Sequence, residues 1–184
     1  MEENKINLWS EAGLPGLILG AVSSVYLLIS MWTSGMAGTG ALAFLIATLK
    51  LALWAGKFFL CIWLLRFFLI KFSERNREAD NRKVFQYGLV IALLSALVYS
   101  VFYYAYIVYI NPEVLTASMD LAMQQYAGML DSAGLEAMDN MRSDMPVATL
   151  ITNFIWCFLF GTVLSYIYSR RIPAEADNPF KDEQ

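Results

Sequence analysis

The residues whose chemistry stands out are cationic and phenolic, and they lie inside apolar sequence. Lys50 and Lys57 interrupt the apolar run Ala41–Phe72. Seven residues apart, they share one face of a helix. A charged side chain in a membrane-spanning stretch is costly and by default marks function. No Asp or Glu falls within any of the four apolar runs of the chain, so neither lysine has a carboxylate inside those runs. Two uses are open to them. The ammonium groups can snorkel along a tilted helix to the interface, where Glu113 could meet Lys50. Alternatively, Lys57 faces the bundle and holds an anion such as a lipid phosphate. Arg66 is the third candidate anion or lipid contact, and attraction to anionic head groups is enough to explain it together with Lys71.

A second constellation is phenolic. Tyr99, Tyr103 and Tyr106 are spaced by four and three residues and line one helix face. Asn153, on a later run, is a polar neighbour at similar depth. These four are a candidate polar cavity; the alternative is an aromatic belt with its hydroxyls at the head groups. The third constellation lies between the last two apolar runs. Leu115, Met119, Ala122, Tyr126 and Met129 step at the helical period, with acidic residues on the opposite face. Ser132–Gly134 breaks the pattern, and Leu135, Met138 and Met141 begin a shorter stripe. Such a hairpin can cap the bundle or lie on the membrane. It can also offer Leu115, Met119, Tyr126 and Met129 to a partner, since methionine surfaces adapt.

Other chemistries are excluded by composition. The chain has no histidine, so a Ser-His-Asp or Cys-His arrangement cannot be built. No phosphate-binding glycine loop occurs. Cys61 and Cys157 sit in apolar runs and read as small core residues rather than a disulfide, redox pair or metal site. The expectation is a protein that is not an enzyme and has no cofactor and no metal. A net charge of −3 without a basic face argues against nucleic acid.

The elements that must position these residues follow from hydropathy. Of 184 residues, 58% are hydrophobic and 16% charged, far from a soluble composition. Spans are predicted at about 14–33, 41–72, 84–110 and 147–168, with a helical segment over 112–145 and a polar tail over 172–184. The second run would make a helix of about 48 Å, longer than a hydrocarbon core of about 30 Å, so it must tilt, bend or project. Pro15 is expected in the first turn of the first helix. Gly16 and Gly20 form a Gly-x-x-x-Gly pattern that fits close packing inside the bundle. Trp9 and Trp32 bracket the span as interfacial anchors. Ser34–Gly40 reads as a tight turn and Ser73–Lys83 as a charged connector. Asn111 is a plausible N-cap, with Pro112 opening the next helix.

Orientation comes from the basic residues. Lys5, Lys71, Arg75, Arg77, Arg82, Lys83, Arg170 and Arg171 all fall on one face if there are four spans, and Arg142 alone on the other. The positive-inside rule puts both termini in the cytoplasm and the helical hairpin outside.

Phe85-Gln86-Tyr87-Gly88, Tyr109-Ile110-Asn111-Pro112-Glu113, Met145-Pro146 and the stretch Gly161 through Arg171 add a further clue. With the small-residue first span and the Arg66-Phe67-Phe68 region, the chain resembles the domain of unknown function 4199 family over about Leu14–Arg171. These are small four-span membrane proteins, mostly of Bacteroidota. The resemblance implies a bacterial inner-membrane location and supplies no activity and no site residues. The expected fold is an all-α integral membrane four-helix bundle, residues 1–171 forming a single domain, with an extramembrane amphipathic helical hairpin between spans three and four. The expected function is a non-enzymatic accessory or scaffold protein in the lipid bilayer, with a membrane protein partner or a homo-oligomer. The alternative is a small oligomeric transporter or lipid-handling protein using Lys57 and the tyrosines.

Overall fold

The structure, a computed structural model, describes residues 7–34, 41–76, 79–126, 129 and 131–172. The glycine-rich turn, Lys5, Arg77 and the tail beyond Ile172 lie outside the described residues, as do the side chains of Trp32, Leu135 and Met138. Every regular element among the described residues is helical: α1 (Leu8–Ser34), α2 (Ala41–Arg75), α3 (Asn81–Ala105), α4 (Glu113–Tyr126), α5 (Ser132–Asn140) and α6 (Met145–Ser169). A π-helical turn, Tyr106–Ile110, extends α3, and a 3-10 turn, Met141–Ser143, links α5 to α6. Four helices, α1, α2, α3 with its π turn, and α6, are long and apolar enough to cross a membrane. Their large exposed residues, such as Leu17, Phe59, Leu97 and Trp156, are apolar. The fold is an α-helical membrane bundle with the α4–α5 hairpin at one end and the α2–α3 connector at the other.

Helix α3 is the central element and packs along both α1 and α6. Glycine makes this approach close. A Cβ on Gly16 would stand 2.7 Å from the Leu94 Cβ, and one on Gly20 2.7 Å from the Val98 Cβ. On the other flank, a Cβ on Gly88 would meet Ser165 Oγ at 2.6 Å, and one on Gly161 the Ala92 Cβ at 2.6 Å. In a membrane such contacts replace the hydrophobic drive that water would give. The Gly16/Gly20 pattern is therefore occupied within the chain.

Helix α2 behaves differently. Its buried residues, Leu65, Leu69, Phe72 and Ser73, all lie toward the connector. They join Ala12, Val84, Tyr87, Ile91 and Ile172 in the main hydrophobic cluster. From Leu42 to Leu60 no described residue of α2 is buried. So α2 is anchored at the connector end and less closely packed toward the hairpin end. Its 35 residues make about 52 Å of helix, well beyond a hydrocarbon core of about 30 Å.

Several local expectations need correction. Helix α1 starts at Leu8, so Pro15 lies inside it rather than in its first turn. Helices α2 and α3 extend into the charged segment, leaving a connector of only residues 76–80. Asp80 caps α3, its side chain accepting from Asn81 N–H at 2.7 Å. The side-chain amide of Asn111 does not cap α4; it donates to the Tyr106 hydroxyl at 3.1 Å. Pro112 disfavours a helical Asn111. The turn widens so that Asn111 N–H donates to the Tyr106 carbonyl at 2.9 Å, and α4 begins at Glu113. Ile172, assigned to the polar tail by sequence, is 1% exposed within the main cluster.

Candidate functional site

Lys57 lies near the middle of α2, about 24 Å of helix from Ala41 and about 27 Å from Arg75. That is too far for its side chain to reach either end. Its ammonium is instead held between two aromatic faces, 4.9 Å from the ring centre of Tyr26 on α1 and 4.9 Å from that of Tyr99 on α3. Each cation–π contact is worth about 0.5–2 kcal/mol. Two of them offset much of an insertion cost of about 2.5–3.5 kcal/mol for a mid-membrane lysine. The rings hold the cation but bring no counter-charge. Among the described residues no carboxylate pairs with it.

Lys57 lines a cavity of about 280 Å³ walled by all four long helices and partly open to the outside beside Trp156 and Phe160. The polar part of the lining is Ser23 from α1, Lys57 and Cys61 from α2, Ser95 and Tyr99 from α3, and Cys157 from α6. Cys61 Sγ and Ser23 Oγ lie 3.8 Å apart. The remainder is apolar, including Leu19, Leu65, Trp156 and Phe160. Phe58 meets Phe160 edge-on at 5.5 Å, bridging α2 to α6 beside the cavity. The cavity exists because α2 stands off above Leu65 while α1, α3 and α6 are drawn together by their glycines.

On its other side, Lys57 lines a second hollow of about 640 Å³ between α1 and α2. Its walls run from Ile18 to Ile29 on α1 and from Leu49 to Leu60 on α2, and among the described residues Tyr26 and Lys57 are its only polar side chains. Gly56 borders this hollow, and a Cβ there would meet nothing within 4 Å.

The other sequence candidates separate. Lys50 is half-buried on α2, lines neither hollow, and pairs with no described carboxylate, Glu113 included. Arg66 is exposed and has a contact of its own. Of the proposed polar cavity only Tyr99 lines the interior space. Tyr103 and Tyr106 continue from it as a ladder of rings with 6.1 Å between successive centres, and Tyr106 ends on Asn111. Asn153 is half-buried on α6 and does not line the cavity. In the hairpin, Met119 is 3% exposed, and Leu115 and Met119 border a small hollow with Ile107 and Pro146. Only Tyr126 and Met129 of that set are exposed.

Sequence reasoning missed Tyr26, Ser23 and both cysteines. Cys61 carried a usable signal, since it lies one helical turn from Lys57 on the same face. Tyr26, Ser23 and Cys157 carried none, because their relation to Lys57 runs between helices.

Among known protein families, a model described as "Protein of unknown function (DUF4199)" matches residues 15–170. No curated protein and no solved structure matches the chain.

Proposed function

The chain belongs to the DUF4199 family, whose description assigns no activity, and from that premise we propose that it is a non-enzymatic, ligand-holding protein of the membrane, with Lys57 as the anion-binding group. The observation that carries this is the uncompensated Lys57 ammonium between Tyr26 and Tyr99, at the wall of a cavity shared by four helices. A bundle evolved only to scaffold would gain more from an apolar residue here, because even well-placed rings barely balance the insertion cost. Fixed donors at an otherwise apolar site give orientation and specificity to a bound ligand. The test is the ligand that copurifies. Protein extracted in a mild detergent is compared with Lys57→Leu and Lys57→Arg by mass spectrometry of bound anionic molecules. Retention by the wild type and Lys57→Arg, with loss in Lys57→Leu, supports this function. Equal retention in all three removes it.

A scaffold role keeps one observation in its favour. Leu121, Tyr126 and Met129 on the hairpin are exposed, Met129 at 81%. A protein partner seated there would protect that surface, and its loss on Tyr126→Glu would identify the contact.

The orientation we propose has the connector end in the cytoplasm of a bacterial inner membrane. Lys71, Arg75, Arg82, Lys83, Arg170 and Arg171 cluster at that end, against Arg142 in the hairpin. Alkaline phosphatase fused after Met129 should be active and after Asn76 inactive; the reverse pattern inverts the orientation.

A further inference from the structure

We propose that the α1–α2 hollow seats the chain of a fatty acid taken sideways from the bilayer, with its carboxyl group at Lys57. This rests on Lys57 being the group that holds the ligand and goes further by naming the ligand and its route. Lys57 stands between the interior cavity and the α1–α2 hollow and lines both. The hollow is walled by Ile18, Val25, Leu49 and Leu53 along its length and, among the described residues, has polar side chains only at Tyr26 and Lys57. That is the pattern of an acyl chain with one polar end. Small residues, Ala21, Ala52 and Gly56, border it where bulk would fill it, and the space over Gly56 is open. Access from the side follows from α2 having no buried residue among those described from Leu42 to Leu60.

Depth selects the head group. Lys57 lies about 24 Å of helix from the nearer end of α2. A phospholipid would have to bring a permanently charged phosphodiester to a lysine flanked along α2 by apolar turns on both sides, at the high cost of burying a charge. A carboxylic acid reaches it in its neutral, protonated form. It is then held there as the acid, its carbonyl oxygen accepting from the Lys57 ammonium in a charge-assisted hydrogen bond, so that no proton has to leave an apolar site.

The full chain in nanodiscs of neutral phosphatidylcholine, loaded with palmitate, tests this by native mass spectrometry. The wild type and Gly13→Phe should each retain one palmitate; Gly13 faces open space away from the hollow. Gly56→Phe, which fills the hollow and leaves Lys57 in place, should lower occupancy about tenfold or more, and so should Lys57→Leu. Ala52→Phe serves the same purpose should Gly56→Phe not fold. Palmitate retained when the hollow is filled but lost in Lys57→Leu overturns the chain seat and leaves the Lys57 function standing. Palmitate undiminished in Lys57→Leu overturns both. A wild type that refuses palmitate and keeps a copurified anionic phospholipid through Lys57 overturns the fatty acid in favour of a phosphate head group.

Discussion

The hydroxyl of Tyr87 on α3 points to the backbone carbonyl of Glu11 on α1, 3.5 Å away, at the long end of a hydrogen bond. That carbonyl is the one Pro15 leaves without its helical donor, because proline has no N–H to return four residues back. A neighbouring helix thus satisfies a defect made by α1's own sequence. The same tyrosine ring stacks on Phe72 of α2 at 4.0 Å, and the Asn76 side chain donates to the Glu11 carboxylate at 3.5 Å. Three helices are joined at the connector end through this one locus. Tyr87→Phe keeps the stacking and removes the hydroxyl, so it should cost about 0.5–1.5 kcal/mol. Pro15→Ala restores the N–H donor, and in that background Tyr87→Phe should become nearly silent. Unfolding free energies of the four proteins form a double-mutant cycle, and strictly additive losses would contradict the pairing.

The glycines of the α3 interfaces make a second prediction. Gly161 faces Ala92 so closely that a Cβ would lie 2.6 Å from the Ala92 Cβ. Gly161→Ala should destabilise by about 1–3 kcal/mol, the usual cost of overpacking a tight contact. Ala92→Gly in the same chain should recover most of that loss, since the swap moves one methyl across the interface. Gly13→Ala, into open space, should be neutral or stabilising by up to about 1 kcal/mol. Thermal unfolding in a single detergent ranks all of these. A loss in Gly161→Ala that Ala92→Gly does not relieve would mean that the clash lies elsewhere.

The bundle itself was legible because hydropathy depends on composition along each helix, and the four apolar runs correspond to the four long helices. Lys57 was legible as an anomaly for the same reason. Its surroundings were not. Tyr26 and Tyr99 flank it because α1 and α3 are drawn together by Gly20 while α2 stands away, and no single helix encodes that relation. Tyr103 and Tyr106 share a helix face with Tyr99 but lie beyond the cavity, so spacing along the helix grouped them correctly and placed them wrongly. Helix ends failed for a different reason. Polar residues such as Asn7, Ser10, Glu11, Arg75 and Asn81 fall within or beside the helices, although hydropathy counts them as loop.

The hairpin is held by charge rather than by apolar burial alone. Arg142, in the 3-10 turn, pairs with Asp120 on α4 and lies 3.8 Å from Asp139 on α5. These groups are exposed enough for solvent to screen them, and pairs of this kind contribute about 0–1 kcal/mol each. Arg142→Ala should therefore leave global unfolding almost unchanged and loosen α4 locally. Hydrogen exchange of the amides around Met119 should accelerate several-fold in the variant, and high salt should produce the same change in the wild type. Unaltered exchange in both conditions would assign the docking of α4 to the burial of Met119.

The two cysteines report on how the interior is reached. Cys61 on α2 and Cys157 on α6 line the cavity with Lys57, both half-buried. A cavity entered from the bilayer admits apolar reagents and excludes charged ones that travel through water. N-phenylmaleimide should therefore react with both thiols in intact membranes, slowly because a water-poor cavity disfavours the thiolate that adds to it, while a sulfonated maleimide modifies neither. Palmitate should slow the apolar reaction several-fold when it occupies the site, and Gly56→Phe should slow it without palmitate by filling the approach along α1 and α2. Peptide mapping of the labelled chain gives the extent at each cysteine. Equal labelling by both reagents would mean that water reaches Lys57 from one end of the bundle. A water-filled route past the Tyr99–Tyr103–Tyr106 ladder would then replace access between α1 and α2.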